Sequence, residues 1–459
     1  MIHRRDAMLR LGQFGMGGLT LPSLLRAEST GSLERKAGKA KSCILVYLWG
    51  GPPQQDLWDM KPEAPSGIKS EFQPIDTVVP GIQICDQMPL LAKHTDKLAV
   101  VRSLSHDSNA HEPSVYYTLT GKKNPSLVVP RNQRTRFDFP NAGGVVSHFT
   151  PPGRIPAHVT IPRPIGHDGV TYAGTSAGFL GPRHDPLEFQ PAAEVGAKAT
   201  HDLGLPDGLD TTRLIARRSL LGMIEDHERF LNQATAQTGL DVFRDQAFRM
   251  LADPTAKEAF RLDRESPQVR DRYGRNEYGD CFLLARRLVE AGVRLITIAW
   301  VYICPNGNVA NVWDNHGGTG SLGGITGFAM LKEKYCIPPL DLGLSALLED
   351  LSVRGLLDET LVAVYGEFGR TPKINQHAGR EHWGACQSAL LAGGGIRGGQ
   401  IHGSSDKYAA YPASDPVAPE DMLATIYHAM GIAPDSLIHD REGRPLAVSD
   451  GKPILSLFG

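Results

Sequence analysis

A β-branched, apolar run that stops abruptly at a charged residue is what most limits the folds open to this chain. Leu361-Val362-Ala363-Val364-Tyr365 is followed by Gly366 and Glu367, then by Gly369, Arg370, Thr371 and Pro372. A run with apolar residues on both faces reads as a buried strand of a parallel sheet. A polar connection then leads through Gly379-Arg380-Glu381-His382-Trp383 to a second apolar run, Ala389 to Ala392. Open α/β sheets assemble their sites in this way, with functional groups just past the C-terminal ends of strands. Carboxylate oxygen and imidazole nitrogen both suit zinc and manganese, so Glu367 and His382 are candidate metal ligands. On their own, the two residues equally fit a capping glutamate and a loop histidine.

The pattern recurs. Val293 to Trp300 is another strand-like run, and the chain after it reaches Trp313-Asp314-Asn315-His316-Gly317. Residues two apart in an extended segment face the same side, so Asp314 and His316 could hold one ion together. A third run, Lys41 to Trp49, leads into Gly50-Gly51-Pro52-Pro53 and then Asp56 and Asp59. Glycines there let the backbone pass close to a ligand, and the aspartates offer hard oxygen donors. Leu98 to Arg102 is a further short strand, followed by the polar stretch Ser105-His106-Asp107-Ser108-Asn109-Ala110-His111-Glu112. A solvated loop explains that density as well as a site does.

Taken in order, these segments resemble the alkaline phosphatase and sulfatase superfamily of metal-dependent hydrolases. Within it, the chain looks most like a group of exported bacterial proteins classed as a domain of unknown function, DUF1501. The resemblance covers roughly residues 40 to 459. Asp314-Asn315-His316 resembles the superfamily's Asp and Gly-His metal site, and Glu367-Phe368-Gly369 falls where the superfamily carries Asp-His-Gly. His382 falls on its last ligand histidine. Asp341 to Leu348 resembles a helix beginning with Asp, and Asp421 to Ile426 with Asp440 to Pro445 is similar to the closing helix and Asp-Gly signature of sulfatases. Two departures bear on mechanism. Phe368 stands where the superfamily has a metal-binding His. In His111-Glu112-Pro113-Ser114 through Leu119-Thr120-Gly121, His111 replaces the usual nucleophile. His111 is therefore a nucleophile, or a further ligand that leaves water to attack, and Ser114 is a nucleophile if the alignment slips.

Composition excludes little but is informative about compartment. The 459 residues carry a formal net charge of −2, which gives no electrostatic case for nucleic acid or an anionic membrane. Fifty glycines and 33 prolines point to many loops around a sheet. Six cysteines are scattered without Cys-x-x-Cys spacing, so neither a zinc ribbon nor a redox motif is indicated; disulfides are open. Arg4-Arg5 ahead of a mild, Gly-rich apolar stretch from Leu11 to Leu25 resembles a twin-arginine export signal. Residues 1–28 are thus expected to be a signal peptide, 29–40 a linker, and the mature protein periplasmic or otherwise exported, with no membrane span.

The expected fold is α/β: a three-layer α/β/α sandwich around a largely parallel sheet, alkaline phosphatase-like, over residues 41–459. A mainly helical insertion is expected at about 180–290, where Leu214 to Asn232 and Cys281 to Ala291 have helical apolar spacing. Candidate metal ligands are Asp56, Asp314, His316, Glu367 and His382. Candidate catalytic groups are His111, Ser114 and Arg370, the last as a guanidinium clamp for sulfate or phosphate oxygens. The resemblance implies one or two divalent ions, with zinc, calcium and manganese not distinguished, and a small-molecule or glycan ester as substrate. The rival expectation is a non-catalytic envelope protein that keeps the fold and binds an anion or glycan. Sequence sets neither the substrate nor the oligomeric state.

Overall fold

Eight strands form one sheet in the computed structural model, which describes residues 38–124, 133–167, 169–191, 213–219, 239–304, 309–318 and 320–459. In chain order they are β1 (Ser42–Tyr47), β2 (Leu98–Leu104), β3 (His158–Ile161), β4 (Leu187–Glu188), β5 (Leu295–Ala299), β6 (Thr360–Tyr365), β7 (Gln387–Ala392) and β8 (Gln400–His402). Their spatial order is β8-β2-β7-β6-β1-β5-β3-β4. β1 pairs in parallel with both β5 and β6, and β3 in parallel with β5 and β4. β7 alone runs the other way, antiparallel to β6 and to β2. The sheet is therefore largely parallel, as the apolar runs required.

Burial on both sheet faces explains those runs. Every residue of β1 and of β6 is buried. Alternate side chains enter two different cores, because successive residues of a strand point to opposite faces. Ile44, Val46 and Leu48 belong to one cluster, whereas Cys43, Leu45, Tyr47 and Trp49 belong to the other. The first core is covered by α3 (Glu277–Glu290) and α4 (Ile337–Val353), which supply Phe282, Leu288, Leu344 and Leu347. The second is covered by α1 (His111–Thr120), α2 (Ala142–His148) and α5 (Pro419–Ala429), with Val115, Val145 and Leu423. Three layers follow.

Local sequence sets the ends of these helices. Asn276 accepts hydrogen bonds from the Tyr278 and Gly279 amides to cap α3. Gly121 ends α1 in a left-handed conformation at φ 71°. α4 starts at Ile337 rather than at Asp341, where the family resemblance placed it. The Asp341 carboxylate instead accepts the backbone N–H groups of Leu90 and Leu91.

The described part of the expected insertion is helical at 213–219 and over Gly239–Ala252, Pro254–Ala259 and Pro267–Tyr273. α3 belongs to the sandwich itself, since it contributes to the first core. The twin-arginine segment, the linker up to 37 and the part of the Leu214-to-Asn232 helix beyond 219 lie outside the described residues. All six cysteines are buried free thiols. No described helix is long and apolar enough to cross a membrane.

Register places the site. Tyr47 pairs with Ala299 on one side and with Tyr365 on the other, so β1, β5 and β6 end side by side. The segments that leave these three ends carry Gly50, then Asn311 and Asp314, then Glu367.

Candidate metal centre

Asp314 is the hub of the site. It sits in a tight turn, where its own N–H reaches the Asn311 carbonyl at 2.8 Å. His382 Nε2 lies 3.0 Å from Asp314 Oδ1, His316 Nε2 lies 3.2 Å from Oδ2, and His111 Nε2 lies 3.3 Å from Oδ2. His111, Asp314 and His382 each offer a ligand atom within 4.8 Å of the others. Three distant segments supply the rings: the first residue of α1, the loop after β5, and the hairpin of Gly369–Ile374 with Arg380–Trp383.

The other nitrogen of each ring is also occupied. His111 Nδ1 is 2.6 Å from Glu367 Oε1, His316 Nδ1 is 3.0 Å from the Gly317 carbonyl, and His382 Nδ1 is 2.9 Å from the Asn109 carbonyl. These oxygens only accept, so each Nδ1 carries the proton and donates it. All three Nε2 atoms are thereby turned toward one carboxylate. Metal-binding histidines characteristically show this arrangement, the ring held by an acceptor on its far side.

The donor set fits a divalent ion on charge grounds as well. For every Nε2 to hydrogen-bond Asp314, each ring has to carry a second proton. Three imidazolium ions and Arg370 would then face only Asp314 and Glu367. One divalent ion in place of the three protons uses the same lone pairs and lowers the excess positive charge. The metal-free electrostatics show how strongly the two carboxylates favour positive charge here. Burial disfavours protonated His111, but hydrogen bonds to Asp314 and Glu367 outweigh it and push its pKa up to about 9. The hydrogen bond to Asp314 raises His316 too. Burial alone would raise Asp314, yet Arg370 and the three histidines hold its carboxyl well below the usual range.

The expected site residues divide into two groups. Asp314, His316, His382 and His111 meet. Glu367 adjoins them through His111, and both its oxygens accept the Gly50 N–H, at 2.9 and 3.1 Å. Asp56, expected as a ligand, is elsewhere: it is completely buried in a bidentate pair with Arg380, at 2.7 and 2.8 Å. Arg380 stands two residues before His382, so the pair anchors the hairpin that carries that histidine. Asp59 pairs with Lys61 and Arg102. Ser114 is buried one turn along α1 from His111, with its hydroxyl 3.0 Å from that of Ser108.

Arg370 does not have the geometry of a substrate clamp. It is 0% exposed, and it donates to the carbonyls of Gly50, Gly51, Trp313 and Arg380 and to Asp314 Oδ1 at 2.5 Å. A buried guanidinium needs such partners, and here they also make it a fixed positive charge beside the hub. The Phe368 ring fills the neighbouring space, 4.9 Å from His111 and 4.6 Å from His382 between centroids. An apolar wall thus stands where another donor could have been.

Sequence reasoning did not pick out Asn311 or the Gly50 amide. Asn311 Nδ2 lies 3.3 Å from His111 Nε2 and 3.4 Å from Asp314 Oδ2. The only sequence signal for it is its place three residues before Asp314, the spacing of a turn.

Among solved structures, the chain is similar to the lipoteichoic acid synthase LtaP from Listeria monocytogenes, at 10% identity and a TM-score of 0.36, covering 86% of this chain and 73% of that one. It is also similar to the phosphonate monoester hydrolase SpPMH from Silicibacter pomeroyi, at 12% identity and a TM-score of 0.39, covering 91% and 76%. A third is the PsFucS1 sulfatase from Pseudoalteromonas sp., at 13% identity and a TM-score of 0.38, covering 90% and 72%. These likenesses are distant. No curated protein sequence matches the chain. Residues 40–458 match the family described as "Protein of unknown function (DUF1501)", and the chain belongs to that family, as its sequence resemblance implied.

Proposed function

We propose that this chain is a metal-dependent hydrolase of sulfate or phosphate esters, built around one divalent ion held by Asp314, His316, His382 and His111. The observation that carries the reading is the common aim of three histidine Nε2 atoms at Asp314, each ring fixed by an acceptor on Nδ1. A bound divalent ion supplies a Lewis acid for the ester oxygen and lowers the pKa of bound water to about 7. Arg370 keeps Asp314 ionised and adds a positive charge that favours an anionic ester nearby. Phe368 closes the side of the cluster where a second ion would need a donor. Ser114 faces Ser108, which supports water rather than serine as the attacking group. The resemblance to sulfatases and phosphatases supports the choice of ester class. Hydrolysis of a panel of sulfate and phosphate esters by metal-loaded protein, lost in His382→Ala, tests it.

One observation favours a second reading, a non-catalytic envelope protein that binds an anion or glycan. Among the described residues, no serine or threonine hydroxyl is in hydrogen-bond contact with the Asp314 cluster. Protein that holds metal yet turns over none of the panel would establish that reading. We also propose export by the twin-arginine route, on the strength of Arg4-Arg5 and the apolar stretch behind it. Replacing both arginines by Lys should retain the protein in the cytoplasm, and unchanged export would refute the signal.

A further inference from the structure

We propose that Glu367 is a positioning residue rather than a metal ligand: with Asn311, it fixes His111 so that Nε2 presents its lone pair to the cluster. The inference rests on the metal-centre reading above and assigns the role of one of its neighbours. Glu367 is completely buried, and its carboxylate lies on the Nδ1 side of the His111 ring, 2.6 Å away. Its oxygens are further held by the Gly50 N–H. That amide is where it is because Gly50 takes φ 121°, and a Cβ there would stand 2.4 Å from the Asp314 nitrogen. The carboxylate therefore cannot swing around the ring to the Nε2 side without giving up both partners.

Asn311 works on the opposite edge. Its amide nitrogen lies 3.3 Å from His111 Nε2, as does Asp314 Oδ2, so once the ring is neutral Nε2 either accepts from Asn311 or donates to Asp314. The Glu367 contact at Nδ1, 2.6 Å against 3.3 Å for Asp314 at Nε2, decides for the tautomer with its proton on Nδ1, the one that also lets Nε2 accept from Asn311. Phe368 packs against the ring and restricts its rotation. His316 and His382 lean on backbone carbonyls instead. His111 is thus the ring of the three whose orientation depends on a replaceable side chain.

Nitrogen-15 spectra of histidine-labelled, metal-free full-length protein test the assignment, taken through an alkaline series until His111 is neutral. The wild type should show Nδ1 as the protonated nitrogen and Nε2 as the bare one. Glu367→Gln, which keeps one acceptor, should raise the share of the other tautomer. With zinc alone added, Glu367→Ala should bind about 10- to 100-fold more weakly, Glu367→Gln should fall between, and the zinc donor count by X-ray absorption should not change. A wild-type ring protonated on Nε2, or loss of one oxygen donor from zinc in Glu367→Ala, would overturn the assignment. If wild type takes up no zinc, the metal-centre reading fails, while the nitrogen spectra still decide the tautomer.

Discussion

Replacing Asp56 tests whether that residue ligates an ion or supports the hairpin behind the site. Asp56 and Arg380 are both completely buried and meet through two charge-assisted hydrogen bonds, at 2.7 and 2.8 Å. Asp56→Asn leaves one acceptor and turns an amide donor toward the guanidinium, so one bond is lost and a charge is left without its counter-ion. Removing one partner of a buried pair costs about 3–5 kcal/mol. Arg380 also donates to the carbonyls of Ile68, Thr371 and Pro372, which keep solvating part of its charge. We therefore expect the lower end, about 3 kcal/mol. Urea unfolding of metal-free protein, followed by tryptophan fluorescence, gives that difference. Zinc stoichiometry of the folded variant at saturating metal should stay that of wild type. A loss below about 1 kcal/mol, or a missing zinc ligand with stability intact, would refute the supporting role.

Metal-free protein should lose stability as pH rises through the window set by His111. Its pKa is raised from 6.5 to about 9, so the contribution is full below 6.5 and is lost as pH rises through 9, a change of about 3 kcal/mol at 1.36 kcal/mol per unit. Unfolding midpoints flat across that range would contradict the Asp314–His111–Glu367 contacts. Arg370→Met should destabilise the fold by about 3 kcal/mol or more, because Asp314 and four carbonyls lose a common donor; a thermal or urea midpoint close to wild type would contradict it. Ser114→Ala should leave ester turnover within about twofold of wild type, since its hydroxyl faces Ser108, and collapse of turnover would restore serine as a nucleophile.

The sheet was legible because its strands are buried on both faces. Leu361 to Tyr365 and Cys43 to Trp49 carry unbroken apolar runs for that reason. The pairing of Asp314 with His316 was legible from local spacing, and that of Glu367 with His382 was placed only to within a neighbourhood. What sequence could not supply is long-range partnership. Glu367 meets His111 across 256 residues, Arg370 meets Asp314 across 56, and Arg380 takes Asp56 across 324. Asp56 looked like a ligand because an aspartate behind a glycine turn is chemically suited to be one. Only the three-dimensional path of the hairpin shows that Arg380 takes both its oxygens. Arg370 misled in the same way: a guanidinium beside glycines suits an anion, but burial commits this one to carbonyls and Asp314.

Metal analysis of the purified protein tests the central claim most directly. Wild type, loaded with zinc, manganese or calcium in turn and freed of excess, should retain about one equivalent of a divalent ion per chain. Asp314→Asn and His382→Ala should retain almost none while their circular dichroism remains that of wild type. Wild type that keeps no ion under any loading, or variants that keep as much as wild type, would contradict the account.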